Sequence, residues 1–178
     1  SSSQINAEHR GFSFQKNSPL NMRFNPNDKP NAAEYLKQAD LNEIEQTIKR
    51  YGEERNYKKI ASNIFKATRK NEMNTTFDLK KAVEKCVNPR YATKSLARVF
   101  QSIRIKINNE LDALEEALTN SIKWLKKGGR IAIISFHSLW ERQAFCVINR
   151  PTYFVGNCSK CSCGRRITIA RFLDSPES

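Results

Sequence analysis

Apolar positions in this chain recur at helical spacing up to about residue 126 and at strand spacing beyond it. Leu41, Ile44 and Ile48 share one face of a helix predicted over 40–51. Tyr57, Ile60, Ala61, Ile64, Phe65 and Thr68 form a stripe over 54–70. Start and stop signals agree with these faces. Asn31 with Glu34, and Asp40 with Glu43, make capping-box patterns, and Gly52 suits a helix stop. Thr75 or Thr76 caps a short helix ending near Cys86, and Asn88-Pro89 breaks the pattern. Thr93 to Lys126 reads as helix again, bent or broken at Asn108-Asn109. The Gly128-Gly129 break leads into an apolar strand over 130–136, and two β-prone runs follow Pro151, namely Thr152–Val155 and Arg166–Phe172.

Composition changes the picture in one respect, which is charge. The 178 residues are 39% hydrophobic and 28% charged, enough for one domain or one domain interrupted by a smaller one. No run approaches the roughly 20 apolar residues of a membrane span. No signal-peptide pattern opens the chain, so a cytoplasmic location is expected. The formal net charge of +13 favours nucleic acid as partner, with an acidic membrane surface second. Between Ile44 and Lys106, sixteen Lys and Arg face six Asp and Glu, so the excess lies on the helical third. Lys58, Lys59, Lys66 and Arg69 fall mostly off the apolar stripe. Such faces are either solvated surface or phosphate contacts, where each cation releases counterions.

Candidate chemistry follows the strand at 130–136. In open α/β sheets, ligands sit beyond the carboxyl ends of strands. Ser135, His137 and Ser138 therefore stand where chemistry is expected, and Arg104 and Asn108 on the helix leading in suggest a polar, anionic substrate. Hydrolysis by a Ser-His-Asp set would have to use His137, since His9 is the only other histidine, and no G-x-S-x-G elbow exists. None of the six glycines forms a G-x-G or Walker loop. Cys158, Cys161 and Cys163 offer three soft ligands, one short of a closed zinc site, with Cys146 or a His as fourth. Free thiols in a reducing cytosol are the alternative. An odd count of five cysteines argues against stable disulfides.

Five ordered motifs carry a resemblance to a known family. They are Ser1-Ser2-Ser3-Gln4 with Arg10-Gly11-Phe12-Ser13-Phe14, Pro19-Leu20-Asn21-Met22-Arg23, Tyr51-Gly52-Glu53-Glu54-Arg55, Phe100–Leu111, and Ser135–Arg142. In this order and spacing the chain resembles the bacterial 16S ribosomal RNA (cytosine-N4) methyltransferase family, which uses S-adenosylmethionine. The resemblance implies an α/β fold class: a partial Rossmann-like methyltransferase domain with an all-helical insertion domain. Residues 1–28 and 105–178 would belong to the methyltransferase domain, the latter ending in a Cys-containing β segment, and 29–104 to an RNA-binding insertion. It also implies Gln4 as a cofactor contact and 16S ribosomal RNA of the small subunit as partner, with no membrane.

Laid over the residues, the resemblance assigns Ser135, His137 and Ser138 to catalysis. Arg104, Asn108, Arg142, Lys58 and Lys59 become RNA contacts. Each residue also has a plainer reading: His137 as a backbone cap, Arg104 and Asn108 as a hinge, Glu53 and Arg55 as a pair or caps, Trp140 as core. The family's Gly-rich first motif and its Arg- and Ser-rich tail have no counterpart here. A fragment with weak or no activity alone is therefore expected, the alternative being a non-enzymatic basic helical RNA-binding module. Asn21 and Asn25 stand at acidic positions of the family, and Trp140-Glu141 replaces its Glu-Asp.

Overall fold

The computed structural model describes residues 10–27, 30–124, 130–135, 139, 153–158 and 166–172. The chain divides into two compact units, Ser1–Asn109 and Glu110–Ser178. In the first unit an irregular segment, 10–27, precedes five helices. These are α1 Ala32–Gln38, α2 Leu41–Gly52, α3 Tyr57–Arg69, α4 Thr76–Glu84 and α5 Pro89–Ile107. The second unit contains α6 Glu110–Lys123 and the strands β1 Arg130–Ser135, β2 Tyr153–Cys158 and β3 Arg166–Phe172.

The helices begin where short polar side chains can satisfy orphan amides. Asn31 accepts from the Glu34 amide while the Glu34 carboxylate accepts from the Asn31 amide, a complete capping box. Asp40 accepts from the Glu43 amide, one half of the expected box. Thr75 and Asp78 make a second complete box at α4. Asn88-Pro89, which reads as a break in sequence, instead starts α5. Asn88 is the N-cap, accepting from the Arg90 amide, and Pro89 occupies the first turn, where its missing amide costs nothing.

Gly52 also departs from its sequence reading. It is the last residue of α2, and the left-handed stop falls to Glu53, at φ 50°. A Cβ on Gly52 would stand 2.9 Å from the Arg98 carbonyl oxygen and 3.3 Å from Ser102 Cβ. Glycine is there because α2 and α5 pass too closely for a side chain. The turn after it holds Glu54, only 4% exposed, whose carboxylate accepts from the Asn56 amide and faces Arg98 at 3.5 Å.

The core of this unit collects one face from every helix, including Leu36, Ile48, Ile60, Ile64, Leu79 and Ile103. Leu20 and Met22 join it from the irregular segment, and Met22 is fully buried with φ 58°. Burying such side chains draws their backbone inside, where each polar group needs a partner. The Thr76 hydroxyl donates to the Lys16 carbonyl at 2.7 Å and accepts from the Ser18 amide at 3.1 Å. The Leu20 amide donates to Asn74 O, and the amides of Ala32 and Ala33 donate to Asn21 O and Leu20 O. At the far end of α5 the Asn108 carboxamide closes the set. Its Nδ2 donates to Met22 O (2.8 Å) and Arg104 O (2.9 Å), and its Oδ1 accepts from the Phe24 amide at 2.7 Å.

In the second unit Leu118 of α6 is buried with Leu114 and Ile131 against it. The sheet order is β1-β3-β2, antiparallel at both pairings. The described strands thus form an antiparallel sheet, with no parallel pairing among them. β2 and β3 are hairpin partners and β1 pairs with the far side of β3.

Three outcomes test this account. Asn108→Ala, which strands the Phe24 amide and the Met22 carbonyl together, is expected to lower unfolding free energy by about 2–4 kcal/mol in urea titration. Gly52→Ala would gain about 1 kcal/mol on an open helix. Here it is expected to destabilise by about 1–3 kcal/mol, because the methyl overpacks the Arg98 backbone. Burial pushes the Tyr35 phenol up to about 12, although its hydrogen bond with Thr47 (2.7 Å) acts the other way. The neutral phenol's contribution is complete below its ordinary value of 10.0 and is lost as pH rises from there through about 12. The wild-type melting temperature should therefore fall more steeply over that window than that of Tyr35→Phe.

Candidate nucleic-acid interface

Apolar faces turned inward leave the basic residues of the helices outside. Lys49, Arg50, Arg55, Lys58, Lys59, Lys66, Arg69, Lys70, Lys81, Lys85, Arg90 and Lys94 are all exposed. Lys58 and Lys59 sit in the first turn of α3, as the off-stripe reading predicts. Several cations lie over aromatic rings: Arg69 is 4.6 Å from the Phe65 centroid, Arg50 is 5.4 Å from Tyr51, and Arg90 is 5.8 Å from Tyr91. Such contacts hold the charged heads along the surface and cut the entropy lost when they meet a ligand. Tyr91 is itself 55% exposed.

α3 and α4 run side by side and enclose a cleft of about 380 Å³. Asn63 Nδ2 donates across it to Ala82 O at 2.6 Å. Lys66 and Lys70 line one side, Lys81 and Lys85 the other. The acids nearby are Glu72 and Asp78. Burial acts to raise the Asp78 pKa. It is outweighed by hydrogen bonds from the Thr75 hydroxyl and the Thr75 and Asn74 amides, and by Lys81, so the carboxyl stays below its ordinary value. In the sequence Lys66 stands out only as off-stripe, and the other three lysines do not stand out. The i, i+4 spacing of each pair was visible, but not that the two rows face each other.

The remaining sequence candidates fall in several places. Arg104 is in the last turn of α5, half-buried. Asn108 caps α5, and its carboxamide is engaged with Met22, Phe24 and Arg104 as described above. Of the Glu53 and Arg55 readings, the left-handed C-cap is filled by Glu53, while the neighbouring Glu54, a buried carboxylate, pairs with the part-exposed Arg98. Ser135 ends β1 opposite Arg166. Cys158 ends β2 opposite Ile167, so the register brings Ser135 and Cys158 to the same end of the sheet, on strands flanking β3. Gln4, His137, Ser138, Arg142, Trp140, Cys146, Cys161 and Cys163 lie outside the described residues. Among the described residues no group of three His, Cys, Asp or Glu could hold a metal ion, and no helix is long and apolar enough to cross a membrane. Burial raises the pKa of the half-buried Cys86 thiol, which keeps it protonated and a poor nucleophile.

Known proteins give this arrangement a context. The chain is 48% identical over 143 residues to ribosomal RNA small subunit methyltransferase H of Buchnera aphidicola subsp. Schizaphis graminum, covering 80% of this chain and 46% of that protein. It is 44% identical to the protein of the same name from Hydrogenovibrio crunogenus, with the same coverage. The counterpart from Coxiella burnetii (strain Dugway 5J108-111) is 43% identical over 143 residues, covering 80% of this chain and 47% of that protein. The chain thus spans about half the length of the curated relatives it matches. A match over residues 1–158, which takes in the helical unit, α6, β1 and β2 alike, establishes that the chain belongs to the MraW methylase family.

Proposed function

We propose that this chain is the substrate-binding and base-handling part of an enzyme that methylates the exocyclic N4 of a cytosine in 16S ribosomal RNA of the small subunit. S-adenosylmethionine would be the donor and the cytoplasm the location. The observation that carries this reading is the 48% identity to a small-subunit rRNA methyltransferase. The basic helical surface supports it, because phosphate neutralisation is what such a surface does. In this reading residues 29–104 form the RNA-binding insertion, while 1–28 and 105–178 belong to a Rossmann-like catalytic domain whose segments 10–27 and 105–109 pack within the helical unit.

The cytosine N4 lone pair is delocalised into the ring and is a poor nucleophile. Ser135, His137 and Ser138 would accept its N–H groups, localise the lone pair and take the lost proton. When bound, S-adenosylmethionine would be held by Gln4 and would supply a methyl group on a sulfonium. The target base must leave its stack, at a cost of a few kcal/mol. Arg104, Arg142, Lys58 and Lys59 hold phosphates while it does so. Asn108 acts here by fixing the end of α5, since its carboxamide is taken up within the fold.

A second reading is a non-enzymatic RNA-binding module, favoured by the separate core of the Ser1–Asn109 unit. One experiment separates the two. This chain's matched residues replace their counterparts in the Buchnera relative, and small-subunit RNA is analysed for N4-methylcytidine after incubation with S-adenosylmethionine. Formation of the modified nucleoside is expected, with a loss of about 100-fold or more in the His137→Ala chimera. RNA binding without methyl transfer would favour the module instead.

A further inference from the structure

We infer that the cleft between α3 and α4 is a phosphate clamp that holds the backbone of the substrate RNA without reading its bases. This rests on the RNA-directed reading above and adds a site to it. Lys66 and Lys70 stand about 6 Å apart in rise along one wall, and Lys81 and Lys85 likewise along the other. None of the four has a carboxylate within ion-pair distance among the described residues. The neighbouring Lys80 does have one, in Glu84 at 3.9 Å. The acids of the cleft are Glu72, which is exposed, and Asp78, which caps α4 and stays charged beside Lys81, so the four cations outnumber them two to one.

Folding alone gives no reason for this convergence. Lysines at i and i+4 repel each other on a helix, and two such rows facing one another repel further. The arrangement becomes favourable when an anion enters and the four charges share it. The chemistry of the lining selects the anion. Ammonium groups bind phosphate oxygens as point charges and do not make the fixed fork by which arginine reads base edges. The lining residues include no aromatic ring on which a base would stack. Contacts of this kind set register and orientation and carry no sequence information.

The test compares the full chain with Lys66→Gln/Lys70→Gln/Lys81→Gln/Lys85→Gln, binding small-subunit RNA and an unrelated RNA of equal length over a range of salt. Each lost phosphate contact removes about 0.7–0.9 from the slope of log K against log salt, so a fall of about 3 is expected. The pair Lys66→Gln/Lys81→Gln should give about half of that. Affinity should drop by the same factor for both RNAs, with the melting temperature unchanged or raised as repulsion is relieved. An unchanged slope in the folded variant overturns the clamp and leaves the methyltransferase reading standing. A loss confined to the small-subunit RNA overturns its sequence independence. A wild-type chain that binds neither RNA overturns both readings together.

Discussion

The helical unit depends on one constraint: the irregular segment 10–27 buries Leu20 and Met22, so its backbone polar groups must find partners inside the protein. Those partners come from three separate helices. The start of α4 supplies Thr76, the start of α1 supplies the Ala32 and Ala33 amides, and the end of α5 supplies Asn108. Each bond is worth about 1 kcal/mol net, but losing one leaves a buried group unsatisfied at greater cost. Elements far apart in sequence are thereby fixed to one strip of chain. Gly11 shows how tight the strip is. At φ 71°, a Cβ there would lie 2.4 Å from the Pro19 carbonyl oxygen.

A second regularity links stability to the proposed activity. The acids of the helical unit are largely absorbed by structure. Glu34, Asp40 and Asp78 serve helix starts, Glu54 is buried against Arg98, and Glu43 faces Lys106 at 3.2 Å. The bases are not absorbed to the same degree. The excess of sixteen Lys and Arg over six Asp and Glu between Ile44 and Lys106 lies mostly on exposed side chains and gives the surface a positive field. Lysines converging on the α3–α4 cleft are the sharpest expression of this division.

Much of the helical unit was legible in the sequence, because its signals are local. The faces of α2 and α3, the caps at Asn31, Asp40 and Thr75, the end of α5 near Asn108 and the strands Arg130–Ser135 and Arg166–Phe172 follow from spacing and cap chemistry. The misreadings were also local. Pro89 is equally able to end one helix or begin another, and which it does depends on whether α5 can pack. The motifs around Ser135 and His137 were legible as residue types, and the family resemblance rests on them.

The sequence by itself determined the helices, their inward faces, the sign of the surface charge and the family. Tertiary structure decided what distant residues do for one another. Gly52 is required by the Arg98 backbone, not by its own dihedral angles. Asn108 is a clamp on Met22 and Phe24, 86 and 84 positions away. Four lysines on two helices become one cleft, and the register of β3 brings Ser135 and Cys158 to one end of the sheet on the strands either side of it. Periodicity reports which side of an element is buried. It carries no information on which other element lies against it, and that pairing is set by close packing and by the need to satisfy every buried polar group.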